Sequence, residues 1–478
     1  MLKSNFSKKY QFDLWIILIA FIGGGIRYIN INYSSLWGDE LFSMYDAHPS
    51  NSWYEMLYAQ EALQPPLYVA ILWVWVKVFA LTEFYARLLS IIAGVAGIIV
   101  SGYLGKKIKN AKLGIAMAIL VAFNPVHIMY SLEARFYVFV YLFAALSLLL
   151  YWHLIEKKPK SYFLYFLKSC VDAALCYFHH FGIVFVFAQF VFDCYLYFKE
   201  KDGLAFRKKL SGYALTALFY LPWFYWVIIE GFAIKSFLGL KKIDILDYIS
   251  FSLGYPLLVN ILAAVFIAYF IFRIYKNSNL YLKVLPLICF LIILIPTLYS
   301  ILRVPILVNR YSMVMAPVIY LMVLIAFIAI AEKLFSRNYK LKMLFISICM
   351  LLISLPGLNL TLVNKAKLVK QPWREIGVWL KQQNDYKTAS IYSHTVGIKN
   401  FRYINFYLDS NNKAKDLLKI EVGSDQKMYL VGTFGYWAVP DTILNKVNID
   451  YNVQKISFNE QYDTTVRGSV YICTKKIP

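Results

Sequence analysis

Cysteine, glycine-rich loops and acidic residues are all in short supply in this chain. The six cysteines, Cys170, Cys176, Cys194, Cys289, Cys349 and Cys473, contain no CxxC pair, and the first five fall within or beside apolar runs. This spacing gives no metal site and no redox centre, so buried free thiols are expected. No glycine-rich phosphate loop or catalytic-triad pattern marks the C-terminal part. No internal repeat or low-complexity linker is visible. Against 27 Asp and Glu stand 49 Lys and Arg, a formal charge of +22. One basic stripe would suggest nucleic acid, but these cations come in short bursts between apolar runs, and no nucleic-acid partner is expected.

What the chain has in abundance is apolar sequence: 60% hydrophobic and 18% aromatic residues over 478 positions. Runs of about 17 to 22 apolar residues, each long enough to cross a bilayer, occupy residues 11–31, 84–105, 113–130, 136–155, 161–179, 182–198, 211–229, 255–275, 284–302, 311–331 and 341–358. Eleven spans are therefore expected. Alternate connections are basic, with Lys3, Lys8 and Lys9 first, Lys106, Lys107, Lys109 and Lys112 next, and matching bursts near 158, 205, 276 and 337. The positive-inside rule then puts the N-terminus in the cytoplasm. The first run is full length and lacks a small-residue cleavage pattern, so it reads as an anchor and not a signal peptide.

The stretch "PPLYVAILWVWVKVFALT" at 65–82 is a possible twelfth span. Counting it would move every later basic loop to the wrong face. It reads instead as a helix on the outer membrane surface, opened by the proline pair and carrying Lys77, Trp73 and Trp75. The chain divides into a membrane domain, 1–358, whose first extracytoplasmic loop is 32–83, and an extracytoplasmic α/β domain, 359–478. In the latter "QPWREIGVWLKQQ" has helical spacing, while "ASIYSH", "KMYLVGTF", "NIDYNVQKISF" and "GSVYICTK" read as strands.

Charges at a membrane rim are expensive and therefore informative. The predicted outer side collects Asp39, Glu40, Glu61, Glu133, Arg135, His179, His180, Arg303 and Arg310, whereas the inner side offers solvated basic loops. This one-sidedness suggests an outward-facing polar cavity holding a base and anion-binding cations. Glu133 and Arg135 also fit the water boundary of the fourth span, and the two histidines fit interfacial positions better than metal ligation. Lys168 and Asp172, four apart in the fifth span, read as a paired helix face.

The stretches "SLWGDE", "LQPPLYVAILWVWVKVF", "EFYARLLS", "NPVHIMYSLEARFYVF" and "VNRYSMVMAP" resemble the polyprenyl-phosphate-sugar-dependent glycosyltransferases of the GT-C fold, in the branch of protein mannosyltransferases and lipid A aminoarabinose transferases. The resemblance covers about residues 11–335 and implies a multi-pass membrane enzyme working on the extracytoplasmic face. Its partners would be a polyprenyl-phosphate-linked sugar donor and a lipid, glycan or protein acceptor. It makes Asp39 the base that activates the acceptor. Chemistry asks for the same parts: one carboxylate to take the acceptor's proton, and cations to hold the departing phosphate. Arg135 and Arg310 suit the phosphate by their fork geometry, with Tyr137 and Tyr311 adding hydroxyls. Glu40 is either a second catalytic acid or a residue that holds the loop together, and Glu133 is a candidate third acid. Before Pro65 the family carries Lys or His, where this chain has Gln64, an uncharged donor for a phosphate or sugar oxygen. No cofactor is implied, and dependence on a divalent metal is open. A ligase moving a whole glycan is the nearest alternative; a transporter would show inverted repeats and midplane breaks.

The alternation of basic loops has a direct test. Cysteines introduced near residue 400 should label with an impermeant thiol reagent from outside the cell, and cysteines near 205 should not; the reverse pattern would put the acid cluster on the wrong side.

Overall fold

The computed structural model describes residues 2–476 except 59–63, 160, 232–247, 249–256, 277–279, 304, 364, 395–401, 424, 434–437 and 463–465. Glu61 lies outside the described residues. The helices run α1 Leu2–Tyr28, α2 Gly38–Asp46, α3 Trp53–Tyr58, α4 Leu67–Val78, α5 Glu83–Ile108, α6 Ala111–Phe123, α7 Pro125–Ser131, α8 Tyr137–Lys157, α9 Phe163–Phe178, α10 Phe181–Glu200 and α11 Gly203–Gly231. They continue with α12 Leu257–Lys276, α13 Val284–Leu302, α14 Ala316–Leu334, α15 Tyr339–Leu358, α16 Trp373–Lys381 and α17 Asp441–Asp450.

Each of the eleven apolar segments is helical, but they are not eleven equal spans. Among the described residues seven helices are long and apolar enough to cross a membrane, and the bent pair α6 and α7 makes an eighth. The third segment, expected as one straight helix, turns by 61° at Asn124–Pro125. Pro125 cannot extend α6, while Asn124 caps α7 by accepting from the His127 N–H at 2.9 Å. The fifth segment is 16 residues long in α9. Tyr, Trp and an internal Pro222 dilute α11, and α12 contributes a shorter apolar stretch, Ala263–Ile274. The tenth begins at Ala316, which leaves Arg310 and Tyr311 in a 3-10 turn, Asn309–Val314, ahead of it. At 12 residues, α4 spans roughly 18 Å and is too short to cross a bilayer.

Small residues let the helices meet closely, as they must where lipid supplies no hydrophobic drive between them. A Cβ on Gly105 of α5 would lie 2.8 Å from the Leu113 carbonyl oxygen of α6. The break between α6 and α7 leaves carbonyls without helical donors, and Arg27 of α1, fully buried, supplies them. Its guanidinium donates to Ala122 O at 3.0 Å, Val121 O at 3.3 Å and Gly23 O, and sits 2.9 Å from His127 Nδ1. The expected Lys168–Asp172 pair forms inside the bundle, with Ser147 donating to Asp172 at 2.7 Å. Beside it Lys209 pairs with Asp193 at 2.6 Å, and Tyr151 and Tyr213 also donate to that carboxylate. All six cysteines are free thiols.

After α15 the chain builds a five-stranded sheet from β1 Ser390–Ser393, β2 Lys415–Asp416, β3 Lys427–Thr433, β4 Tyr451–Phe458 and β5 Gly468–Lys475, in the order β2-β1-β3-β5-β4. β1 is parallel to β2 and β3, whereas β5 is antiparallel to β3 and β4. Strand alternation sorts β3 between two cores: Met428 and Leu430 pack with Val447 of α17, while Tyr429 and Val431 join Trp373, Ile376 and Leu380 of α16. That second face is continuous with the core of the membrane helices. The first residues of "NIDYNVQKISF", expected as strand, end α17, which starts after Pro440.

Replacing Arg27 by Met should lower stability in detergent by about 1 to 3 kcal/mol, the penalty of leaving buried carbonyls without donors. The readout is thermal unfolding, and an unchanged midpoint would show that the break needs no such partner.

Candidate active site

Three loops and one short helix converge above the apolar bundle: residues 31–37, α2, the turn at 132–136 after the α6/α7 break, and the 3-10 turn at 309–314. Asp39, second residue of α2, points its carboxylate at Arg310, with Oδ2 3.1 Å from Nη2. Both are part-open, with side chains 27% and 21% exposed. The Arg310 guanidinium also stands 5.4 Å from the Trp37 ring and 5.7 Å from the Tyr137 ring. Burial works to lower its proton affinity, but Tyr137 and Asp39 raise it overall, so it stays charged.

Arg135 approaches Asp39 from the other side. It donates to the Asp39 backbone oxygen at 3.0 Å, to Ser43 Oγ at 2.9 Å and to Gln64 Oε1 at 2.9 Å. Its guanidinium is 5.9 Å from the same Tyr137 ring. Gln64 thus spends its carbonyl oxygen on an arginine, leaving its amide for any other contact. Tyr311 lies against His179, with ring centroids 4.3 Å apart. His180 instead pairs with the Tyr220 hydroxyl at 3.0 Å. Arg303 ends α13 as an exposed side chain and is not drawn in.

Glu40 is one residue from Asp39 yet has a wholly different environment. It is fully buried. Arg87 of α5 grips it with two bonds, Nε to Oε1 at 3.1 Å and Nη2 to Oε2 at 3.0 Å, and the Ala134 and Trp37 amides donate at 2.8 and 3.2 Å. The rest of the Arg87 guanidinium donates to the Ile31, Ser34 and Ser35 carbonyls. Four donors fill this carboxylate, and it faces Arg87, not Arg310. Glu133 is also buried, paired through Oε1 with Lys370, while Oε2 has no hydrogen-bond partner among the described residues. Burial raises its carboxyl above the usual carboxylate range, against the pull of Lys370.

Lys370 was not among the residues picked from sequence. It follows the last spanning helix and brings the C-terminal domain into the site, with its ammonium 5.1 Å from the Trp37 ring. Neighbouring contacts hold it there. Arg374 pairs with Glu83 at 2.6 Å, Tyr407 donates to Glu83 and accepts from the Leu36 amide at 2.9 Å, and Ser35 donates to the Gln371 carbonyl. Among the described residues no three His, Cys, Asp or Glu side chains are grouped as a metal site.

No family model and no curated protein matches the sequence. Solved structures do match in fold. ArnT from Cupriavidus metallidurans in the apo state superposes with a TM-score of 0.62 at 13% identity, over 96% of this chain and 97% of that one. The same protein bound to undecaprenyl phosphate gives 0.60 at 13% identity, over 96% and 98%. The archaeal oligosaccharyltransferase AglB from Archaeoglobus fulgidus, in complex with an inhibitory peptide and a dolichol-phosphate, gives 0.53 at 13% identity, over 87% of this chain and 62% of that one. The chain has the GT-C fold that its motifs resemble.

The two neighbouring acids should separate on mutation. Glu40→Ala strands Arg87 in the interior and should cost about 3 to 5 kcal/mol of stability, whereas Asp39→Ala, at a part-open position, should leave the melting temperature nearly unchanged. Equal melting shifts for both would refute the division of roles.

Proposed function

We propose that the chain is a membrane glycosyltransferase that takes a sugar from a polyprenyl-phosphate donor and passes it to an extracytoplasmic acceptor, with Asp39 as general base. The observation that carries this reading is one part-open aspartate held by two arginines, its carboxylate paired with Arg310 and its backbone oxygen bonded by Arg135. The shared fold with proteins caught holding undecaprenyl phosphate and dolichol-phosphate supports it. In this reading the cluster lies on the extracytoplasmic side, the membrane domain ends near 358, and 359–478 is a separate domain docked over it.

A sugar phosphodiester already carries its leaving group. Displacement at the anomeric carbon forms the bond to the acceptor heteroatom and breaks the bond to the phosphate oxygen. The bonding pair departs with the phosphate, and the acceptor's proton goes to Asp39. Asp39 and Arg310 pair with each other in this structure. Arrival of the donor phosphate gives Arg310 a new anion to face, and Asp39 is freed to take the proton. Arg135 holds its place through the α2 backbone and Gln64, and offers the second fork to the phosphate. The Arg135 and Arg310 guanidinium groups lie 5.9 and 5.7 Å from the Tyr137 ring, and Tyr311 follows Arg310 in the same turn. Glu40 acts as a positioning residue. A single displacement inverts the anomeric configuration.

Purified protein in nanodiscs, offered a panel of polyprenyl-phosphate sugars, should discharge one of them. Asp39→Asn should slow that transfer by roughly 10² to 10⁴ while leaving donor binding intact. Arg310→Ala and Arg135→Ala should weaken binding of undecaprenyl phosphate by about 2 to 5 kcal/mol, with Arg→Lys restoring only part. Wild-type binding by both alanine variants would place the phosphate elsewhere.

A further inference from the structure

We propose that Lys370 is a third cation of the leaving-phosphate site, supplied by the segment that enters the sheet domain; this deepens the glycosyltransferase reading and rests on it. The argument begins with charge. Asp39, Glu133, Arg135, Arg310 and Lys370 together carry one positive charge in excess, which a phosphodiester donor, a monoanion, balances. Transfer changes the balance. The departing phosphate becomes a monoester whose second ionisation lies near pH 6, so it gains most of a second negative charge. A cation able to move toward it stabilises that charge as it develops.

Of the three cations, Lys370 is the one built to move. Arg135 is fixed by hydrogen bonds to Asp39 O, Ser43 and Gln64, and Arg310 is committed to the phosphate that displaces Asp39 from it. Lys370 is a point charge on a flexible four-carbon stem, and its ammonium has three donors, of which the Glu133 contact uses one. It need not leave Glu133 to reach a phosphate oxygen. The place is right as well. Lys370 and Arg310 both stand near the Trp37 indole, at 5.1 and 5.4 Å, two residues before Asp39. The Lys370 backbone is anchored, which leaves the side chain as the part able to turn toward a phosphate: Asn459, at the turn after β4, donates to its carbonyl at 3.2 Å, and Ser35 holds the next residue.

The competing account is that Lys370 merely neutralises a buried Glu133. Full-length protein in nanodiscs distinguishes the two, with undecaprenyl phosphate and its methyl phosphodiester as probes. Lys370→Met should weaken undecaprenyl phosphate binding by about tenfold or more, the loss of one charge-assisted contact, and weaken the methyl diester less. Lys370→Arg should keep most of the affinity. The double variant E133Q/K370M, which removes both charges and so avoids a stranded carboxylate, should stay as weak as K370M alone. Recovery to wild-type affinity in the double variant would overturn the proposal, as would a K370M variant that binds the monoester normally. In either case weakened binding by Arg310→Ala would leave the phosphate site itself standing, whereas wild-type binding by K370M, Arg135→Ala and Arg310→Ala alike would remove that site too.

Discussion

The buried pair between Glu40 and Arg87 is the joint on which the site depends. Each partner has more bonds than the pair itself: Glu40 takes amides from Trp37 and Ala134, and Arg87 holds the carbonyls of Ile31, Ser34 and Ser35. One ion pair thus fixes the first loop, the start of α5 and the turn that carries Glu133 and Arg135. A buried pair of this kind is weak evidence for stability in itself, because desolvation offsets attraction. Its value is geometric. Successive residues on a helix are about 100° apart, so with Glu40 locked inward Asp39 must face the part-open side where Arg310 stands.

The second constraint is the broken helix. A straight α6 would carry its C-terminal end onward into the bilayer, and the Asn124–Pro125 break turns it by 61° instead. Arg27 satisfies the carbonyls that the break exposes. The turn at 132–136 follows within two helical turns, and it brings Arg135 onto α2. A buried charge in the last turn of the first spanning helix is therefore tied to the placement of a site residue more than a hundred positions later in sequence.

Much of this was legible beforehand, for identifiable reasons. Apolar run length found the helices, since the bilayer imposes it, but it could not show the bend inside 113–130 or separate Arg310 from the helix that follows it. The motif around Asp39 located the acid, and the structure does bring Arg135, Arg310, Tyr137, Tyr311 and Gln64 around it. The role of Glu40 stayed open between a second catalytic acid and a residue that holds the loop, because what decides it is Arg87, 47 residues away in sequence. Lys370 was missed although a signal existed. Lys365, Lys367 and Lys370 follow the last span on the side where the alternation of basic loops expects few cations. A basic cluster that breaks the topology rule asks for a local anion, and Glu133 is one. In the sheet domain strand alternation was readable, while α17 had no reading of its own and its last three residues fell at the start of a stretch read as strand.

The separation in sequence between these partners bears on how the molecule is born. Glu40 meets Arg87 and Ala134 within 94 residues, but Ser35 waits for Gln371, 336 residues on, and Leu36 for Tyr407, 371 residues on. At a synthesis rate of about 5 to 20 residues per second, the inner joint is available roughly 50 s before its outer clasp at the slow end, and roughly 12 s before it at the fast end. The nascent protein passes through a stage in which the acid is already aimed and the roof over it has not yet been made, so assembly of this site is an ordered event timed by the ribosome.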